Sequence, residues 1–235
     1  MKLANREGIH PTARIHPTAI IEEGVSIGVD TSTWDNVHIR KNTVIGENCI
    51  IGEKTYIAYD VRIGNGVKIN SFVYICTGVT IDDQVMISAG TIFTNDRFPR
   101  AFGVDGRSIK TSDPTEETLE TRVRRGVTIG AGAIIGPGIE LGEYCMVGMG
   151  SVVTRNVAPC QLVFGNPAKL RGFVCICGEP VMKNINEQQI KELYRSDPER
   201  KLICTTCQRQ YSLSSDNSLT LIGQKRDAEI ITNIL

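Results

Sequence analysis

The sequence predicts an all-β chain: a three-sided parallel β-helix of six-residue repeats, with one long extruded loop and a small cysteine-rich tail. Three observations carry this prediction. Large aliphatic residues recur at every sixth position, Gly, Asn or Asp recurs three places after them, and four cysteines form two close pairs near the end.

The repeat comes first. From Ile9 every sixth residue reads Ile15, Ile21, Ile27, Thr33, Ile39, Ile45, Ile51, Ile57, Ile63, Ile69, Ile75, Ile81, Ile87 and Phe93. The series resumes at Val123, Ile129, Ile135, Leu141, Val147 and Val153. Four places after these stand small or β-branched residues such as Ala13, Val25, Thr31, Thr43, Cys49, Ala133 and Cys145. Three places after stand Gly24, Asp30, Asn36, Asn42, Asn48, Gly66, Gly90 and Gly150. A period of six smears apolar residues around a 3.6-residue turn, so an α-helix is excluded. A short strand with two inward side chains, then a sharp corner, fits. Gly, Asn and Asp tolerate the positive φ that such corners require. Three units close one coil of about 18 residues, and coils stacked at about 4.8 Å make a prism of about seven coils, about 33 Å tall.

Between Phe93 and Val123 the repeat stops for a segment rich in Asp, Arg, Pro and Gly. Because the pattern resumes cleanly, this loop (94–122) leaves one corner while the prism continues beneath it. Residues 1–171 then form the β-helix domain, and 172–235 a zinc-ribbon-like tail. Cys175 and Cys177, with Cys204 and Cys207, supply four thiolates in two knuckles separated by a helix-like stretch, Asn184 to Arg195. Four thiolates suit tetrahedral zinc. A tail this short has little core of its own, so a structural metal would supply folding energy. Cys49 and Cys145 fall on inward small positions and read as core.

Composition excludes several function classes. Lys and Arg number 26, as do Asp and Glu, so no basic excess points to nucleic acid. No apolar run reaches the length of a membrane span. The first residues lack the apolar stretch of a secretory leader, which predicts a cytoplasmic protein with reduced thiols.

The segments VMISAGTIFTNDRFPRA (85–101), ETRVRRGVTIGAGAIIGPGIELGE (120–143) and VGMGSVVTRNVAPCQLVFGNPAKLRGFVC (147–175) resemble the hexapeptide-repeat acyltransferases. They are most similar to the N-acetyltransferases of nucleotide-linked amino sugars in bacterial surface-polysaccharide biosynthesis. The resemblance implies a left-handed coil, a homotrimer, and acetyl-CoA bound in the groove between subunits. It implies that Asn95 contacts the sugar near the accepting amine, with Asp96, Arg97 and Arg100 of the loop against the nucleotide sugar. It also assigns the last turn, Gly165, Asn166, Pro167 and Lys169, with Arg155 and Arg171, to the coenzyme and its phosphates.

Of three histidines, His10 and His16 sit in duplicate IHPTA units and read as structural, which leaves His38 as the one candidate base. A hydroxyl needs a base to attack a thioester, whereas an amine of near-neutral pKa needs mainly orientation. Scarcity of bases therefore favours N- over O-acylation. Three alternatives stand beside this reading: O-acetyl or other acyl transfer on the same fold, a non-catalytic binding protein, and a zinc hydratase. The last requires three converging histidines.

Overall fold

The computed structural model describes residues 8–110, 115, 118–214 and 218–224. The three-sided parallel β-helix that the six-residue period predicts is the architecture found. Strands of two or three residues stack into three flat faces. The first face runs from Ser26–Ile27 to Glu140–Leu141. The second runs from Arg14–Ile15 to Met146–Val147, and the third from Ile20–Ile21 to Val152–Val153. Pairing is in register: Arg14 lies against Ser32, Ile20 against His38, and Ser26 against Val44.

The second residue of each strand points inward, and the Ile27, Ile39, Ile51, Ile57, Ile69, Ile75 and Ile87 side chains are almost wholly buried. The inward small residues do a second job. Thr31 Oγ1 donates to the Gly46 carbonyl at 2.8 Å, and Thr43 Oγ1 to Ala58 at 2.9 Å. Cys49 takes the same place, its thiol donating to Gly64 at 3.2 Å. These bonds satisfy corner carbonyls that the strand ladders cannot reach.

The corners have the predicted conformation. Asp30, Asn36, Asn42, Asn48 and Asp60 all have φ near +53° to +63°. Lys54, Phe72, Gln84 and Tyr144 occupy the same position with positive φ, although their side chains do not favour it. Stacking against the coils on either side overrides the local preference. Gly46 shows how tight the stacking is: a Cβ there would lie 2.7 Å from the Gly64 carbonyl oxygen.

The loop leaves the prism as expected. Register offsets of 18 widen to 42 where Met86 pairs with Thr128 and Ile92 with Ile134, so one coil carries 24 extra residues. Within the loop Phe102 bridges Ile109, and Asp105 accepts from the Arg107 and Ser108 amides at 3.0 Å. The Ser108 hydroxyl, with those two amides behind it, holds the Asp105 carboxyl down to about 2.

At its far end the second face gains a hairpin, Gln161–Gly165 and Ala168–Val174, whose turn contains a cis Asn166–Pro167 bond. Pro180–Lys183 adds an antiparallel strand. The 171/172 boundary thus falls inside a strand that both parts share. Helix α1 (Glu187–Ser196) follows, with Asn186 as N-cap in a capping box with Gln189. A three-stranded antiparallel sheet, Lys201–Ile203, Arg209–Leu213 and Leu219–Gln224, completes the tail. The tail has more core than its sequence suggests: Phe173, Ile190, Leu202, Tyr211, Leu213 and Leu219 pack together with Cys160 and Leu170.

Candidate functional site

One edge of the prism carries two of the candidates, Asn95 and Arg155. The corner that follows the third face carries, coil after coil, Glu22 and Glu23, Arg40 and Lys41, then Tyr59, Thr77, Asn95, Pro137 and Arg155. Asn95 follows directly on the Ile92–Phe93 strand, and its Nδ2 donates to the Thr77 carbonyl one coil below at 3.3 Å. Its neighbour Thr94 donates to the Ile135 carbonyl one coil above at 3.1 Å. The start of the loop is thereby tied to the prism on both sides. Asp96 turns back to accept from the Phe98 amide at 2.7 Å, and Arg100 donates to the Pro99 carbonyl. Asp96, Arg97 and Arg100, which follow Asn95 in the chain, are exposed.

His38 stands on the same face near the prism's start. Its Nε2 lies 2.9 Å from Glu22 Oε1, which also pairs with Arg40 Nε at 2.5 Å. Glu22 Oε2 accepts from the Lys41 amide at 3.0 Å. Arg40 reaches on to the Tyr56 hydroxyl at 2.7 Å and to the Tyr59 hydroxyl. Partial burial works against ionisation of Glu22, but the His38, Lys41 and Arg40 contacts prevail and hold its pKa below the ordinary carboxylate value. Tyr56 meets the His38 ring edge-on and stacks on Tyr74. Three rungs separate His38 from Ile92, roughly 14 Å along the axis. Within one chain, therefore, His38 and Asn95 are not brought together. Glu22, Arg40 and Tyr59 were not singled out in the sequence. The signal was available in the spacing, since Glu22 and Arg40 are 18 residues apart and must stack. His10 and His16 make matching turn contacts, to Thr12 Oγ1 at 3.0 Å and Thr18 Oγ1 at 2.9 Å.

At the other end a cleft of about 700 Å³ opens between the last coil and the tail. It brings together Arg155, Lys169 and Arg171, while Gly165, Asn166 and Pro167 form the hairpin turn outside its lining. Asn186 and the first turn of α1 also line it.

The four cysteines of the tail converge. One Sγ from each of Cys175, Cys177, Cys204 and Cys207 lies within 4.8 Å of the others, with Cys175 and Cys207 at 3.3 Å and Cys177 and Cys204 at 3.6 Å. Each knuckle closes on a residue with positive φ, Gly178 after the first and Gln208 after the second. Desolvation pushes the Cys177 thiol up to about 12. Desolvation also opposes a thiolate at Cys207, but the Arg209 amide and the neighbouring thiols bring it down to about 6. Such a split marks thiols crowded enough to compete for negative charge. By contrast Cys145, sealed in the prism, is pushed far up, chiefly by burial and also by its neighbour Cys160.

The repeat model named bacterial transferase hexapeptide (six repeats) matches residues 60–95 and 120–155, and the hexapeptide repeat of succinyl-transferase matches 42–76. Those stretches match hexapeptide repeats of the bacterial transferase type. Among curated relatives, the chain is 46% identical over 70 residues to dTDP-3-amino-3,6-dideoxy-α-D-galactopyranose 3-N-acetyltransferase of Aneurinibacillus thermoaerophilus. That match covers 30% of this chain and 36% of the relative. It is 35% identical over 99 residues to serine acetyltransferase of Buchnera aphidicola, covering 41% and 36%. The chain thus spans about a third of the length of the curated relatives it matches. Among solved structures it resembles PerB of Caulobacter crescentus in complex with CoA and GDP-perosamine, at 21% identity and a TM-score of 0.34, covering 70% of this chain and 56% of that one. It also resembles the polysialic-acid acetyltransferase NeuO at 22% identity and a TM-score of 0.43, covering 67% and 72%. Among the described residues no helix is long and apolar enough to cross a membrane.

Proposed function

We propose that this hexapeptide-repeat chain transfers an acetyl group from acetyl-CoA to the amine of a nucleotide-linked amino sugar. The observation that carries the reading is the shared edge: Asn95 and Arg155 lie on one corner, two rungs or roughly 10 Å apart. A coenzyme whose phosphates rest on Arg155, Lys169 and Arg171 has a long flexible arm to span that gap and deliver its thioester near Asn95. Asp96, Arg97 and Arg100 stand beside that point to meet the anionic nucleotide part of the acceptor. The amine nitrogen bonds to the acetyl carbon, the coenzyme thiolate leaves, and the amine's proton passes to solvent. The test is acetyl-CoA turnover against a panel of UDP- and dTDP-linked amino sugars. One or more should be acetylated, and inactivity across the panel counts against the reading.

A homotrimer is part of this reading. On the outward side of the third face Ile20, Tyr74, Ile92 and Ile134 are exposed and apolar, as residues that meet a neighbour should be. Acetyl-transfer sites then lie between subunits. We also propose that residues 172–235 hold a structural zinc in a reducing cytoplasm, on Cys175, Cys177, Cys204 and Cys207. Tetrahedral zinc with bonds of about 2.3 Å needs sulfurs about 3.8 Å apart, and the observed spacing of the four fits.

A second reading has one observation in its favour. Glu22 orients the His38 ring as a carboxylate orients a general base, which suits attack by a hydroxyl. Arg40 and the Lys41 amide already draw on the same carboxylate, so it has little basicity left to lend.

A further inference from the structure

We infer that the cysteine-rich tail is the outer clamp of the coenzyme cleft, with the first turn of α1 as the clamping wall and the thiolate cluster as its anchor. The inference rests on the acetyl-CoA reading and adds a partner surface to it. One wall of the cleft belongs to the last coil and carries Arg155. The strand Ala168–Val174 brings in Lys169 and Arg171. The rest of the lining includes Asn186 to Gln188, contributed by the tail alone.

Three contacts tie that wall to the rest. The Ile185 amide donates to the Arg171 carbonyl at 3.2 Å, so the approach to α1 is pinned to the cationic strand. Ile190, one turn into α1, is fully buried in the same core as Cys175, Cys204 and Tyr211. The strand bearing Lys169 and Arg171 runs straight on into Cys175. Tyr211 closes the loop: its hydroxyl lies 3.0 Å from Cys175 Sγ and accepts from the Ile176 amide at 3.1 Å.

The cleft also has an unfilled polar demand. Arg171 Nε is buried and has no hydrogen-bond partner, while its guanidinium sits over the Phe164 ring at 5.6 Å. A buried donor left unpaired is costly, and an anionic ligand in the cleft would supply the acceptor. Of the carboxylates lining the cleft, Glu140 is held by Arg124 at 2.8 Å. Three cations therefore outnumber the one remaining lining carboxylate, Glu187, and the cleft favours a polyanion such as the nucleotide end of coenzyme A.

The experiment uses the full chain and free coenzyme A. Backbone amides from Glu187 to Ile190 should gain hydrogen-exchange protection when coenzyme A binds. Gln188→Trp, which fills the cleft from the α1 side, should weaken coenzyme A binding by roughly tenfold or more while the metal content stays that of the wild type. Cys204→Ser should weaken it comparably without moving the affinity for the nucleotide sugar. Normal binding by the wild type, with no protection of α1 and unchanged affinity in Gln188→Trp, overturns the clamp and leaves the acetyl-CoA reading standing. Wild-type affinity in Cys204→Ser overturns the anchoring role of the cysteines. Absence of coenzyme A binding by the wild type overturns both.

Discussion

Asn95 donates its side-chain amide to the carbonyl of Thr77, the residue one coil below it on the same edge of the prism. Because a carbonyl can only accept, the bond fixes which end of the amide faces the coil. Oδ1 is then the atom left to accept from an acceptor amine, which is held by orientation rather than by proton removal. Asn95→Ala should therefore lower kcat/KM by one or two powers of ten, about 1.4–2.7 kcal/mol of transition-state binding. Steady-state kinetics with the preferred sugar measures this. A variant as active as the wild type would remove Asn95 from the site.

His38 is expected to cost little. It lies three rungs from Ile92, and its carboxylate partner is shared with Arg40. His38→Ala should lose less than the roughly 100-fold that loss of a general base brings at minimum. The acidic limb of the pH–rate profile should follow the sugar's amine, falling as that amine protonates, and should survive the substitution. A limb that vanishes with His38, together with a thousandfold loss, would make it the base.

The Glu22 cluster gives a pH prediction with a definite sign. Its folded pKa is lowered, so the stability it contributes is present above the unfolded carboxylate value and is lost as pH falls through the folded one. Thermal melts should show the difference between wild type and Glu22→Gln shrinking below about pH 4.5. A difference that grows with acid would contradict the assignment.

Thr33 is the one polar residue in the aliphatic ladder, and its buried hydroxyl has no partner. Thr33→Val removes an unsatisfied donor without changing the shape, and should raise stability by about 1 kcal/mol. Urea titration would show it as a higher midpoint with an unchanged slope.

Zinc is tested directly by elemental analysis. Freshly purified reduced protein should carry about one zinc per chain, and Cys204→Ser should lose it and loosen the tail. Metal-free protein with an intact tail would exclude the site.

Much of the fold could be read from the sequence because each residue of a coil repeats the environment of its neighbour six places away. Ile39, Ile51 and Ile75 announce the core, and Asn36 and Asn42 announce the corners. What escaped the sequence depends on stacking across coils or on tertiary packing. Phe72 and Tyr144 occupy left-handed corners because the coils around them fix the turn, not because of their own preference. Glu22 meets His38 and Arg40 only through the register of 18. The tail's core joins Phe173 to Ile190 and Tyr211, residues with no shared period to reveal them. The α1 wall of the cleft is invisible for the same reason.

The central claim, acetyl transfer to an amine positioned by Asn95, is tested most directly by a pair of acceptors. Release of coenzyme A thiol from acetyl-CoA is followed with a nucleotide-linked amino sugar that the panel identifies, and with the same sugar bearing a hydroxyl in place of the amine. The account predicts release with the amine alone, yielding an amide that resists hydroxylamine. Release with the hydroxyl sugar at a comparable rate, giving a hydroxylamine-sensitive ester, would contradict it.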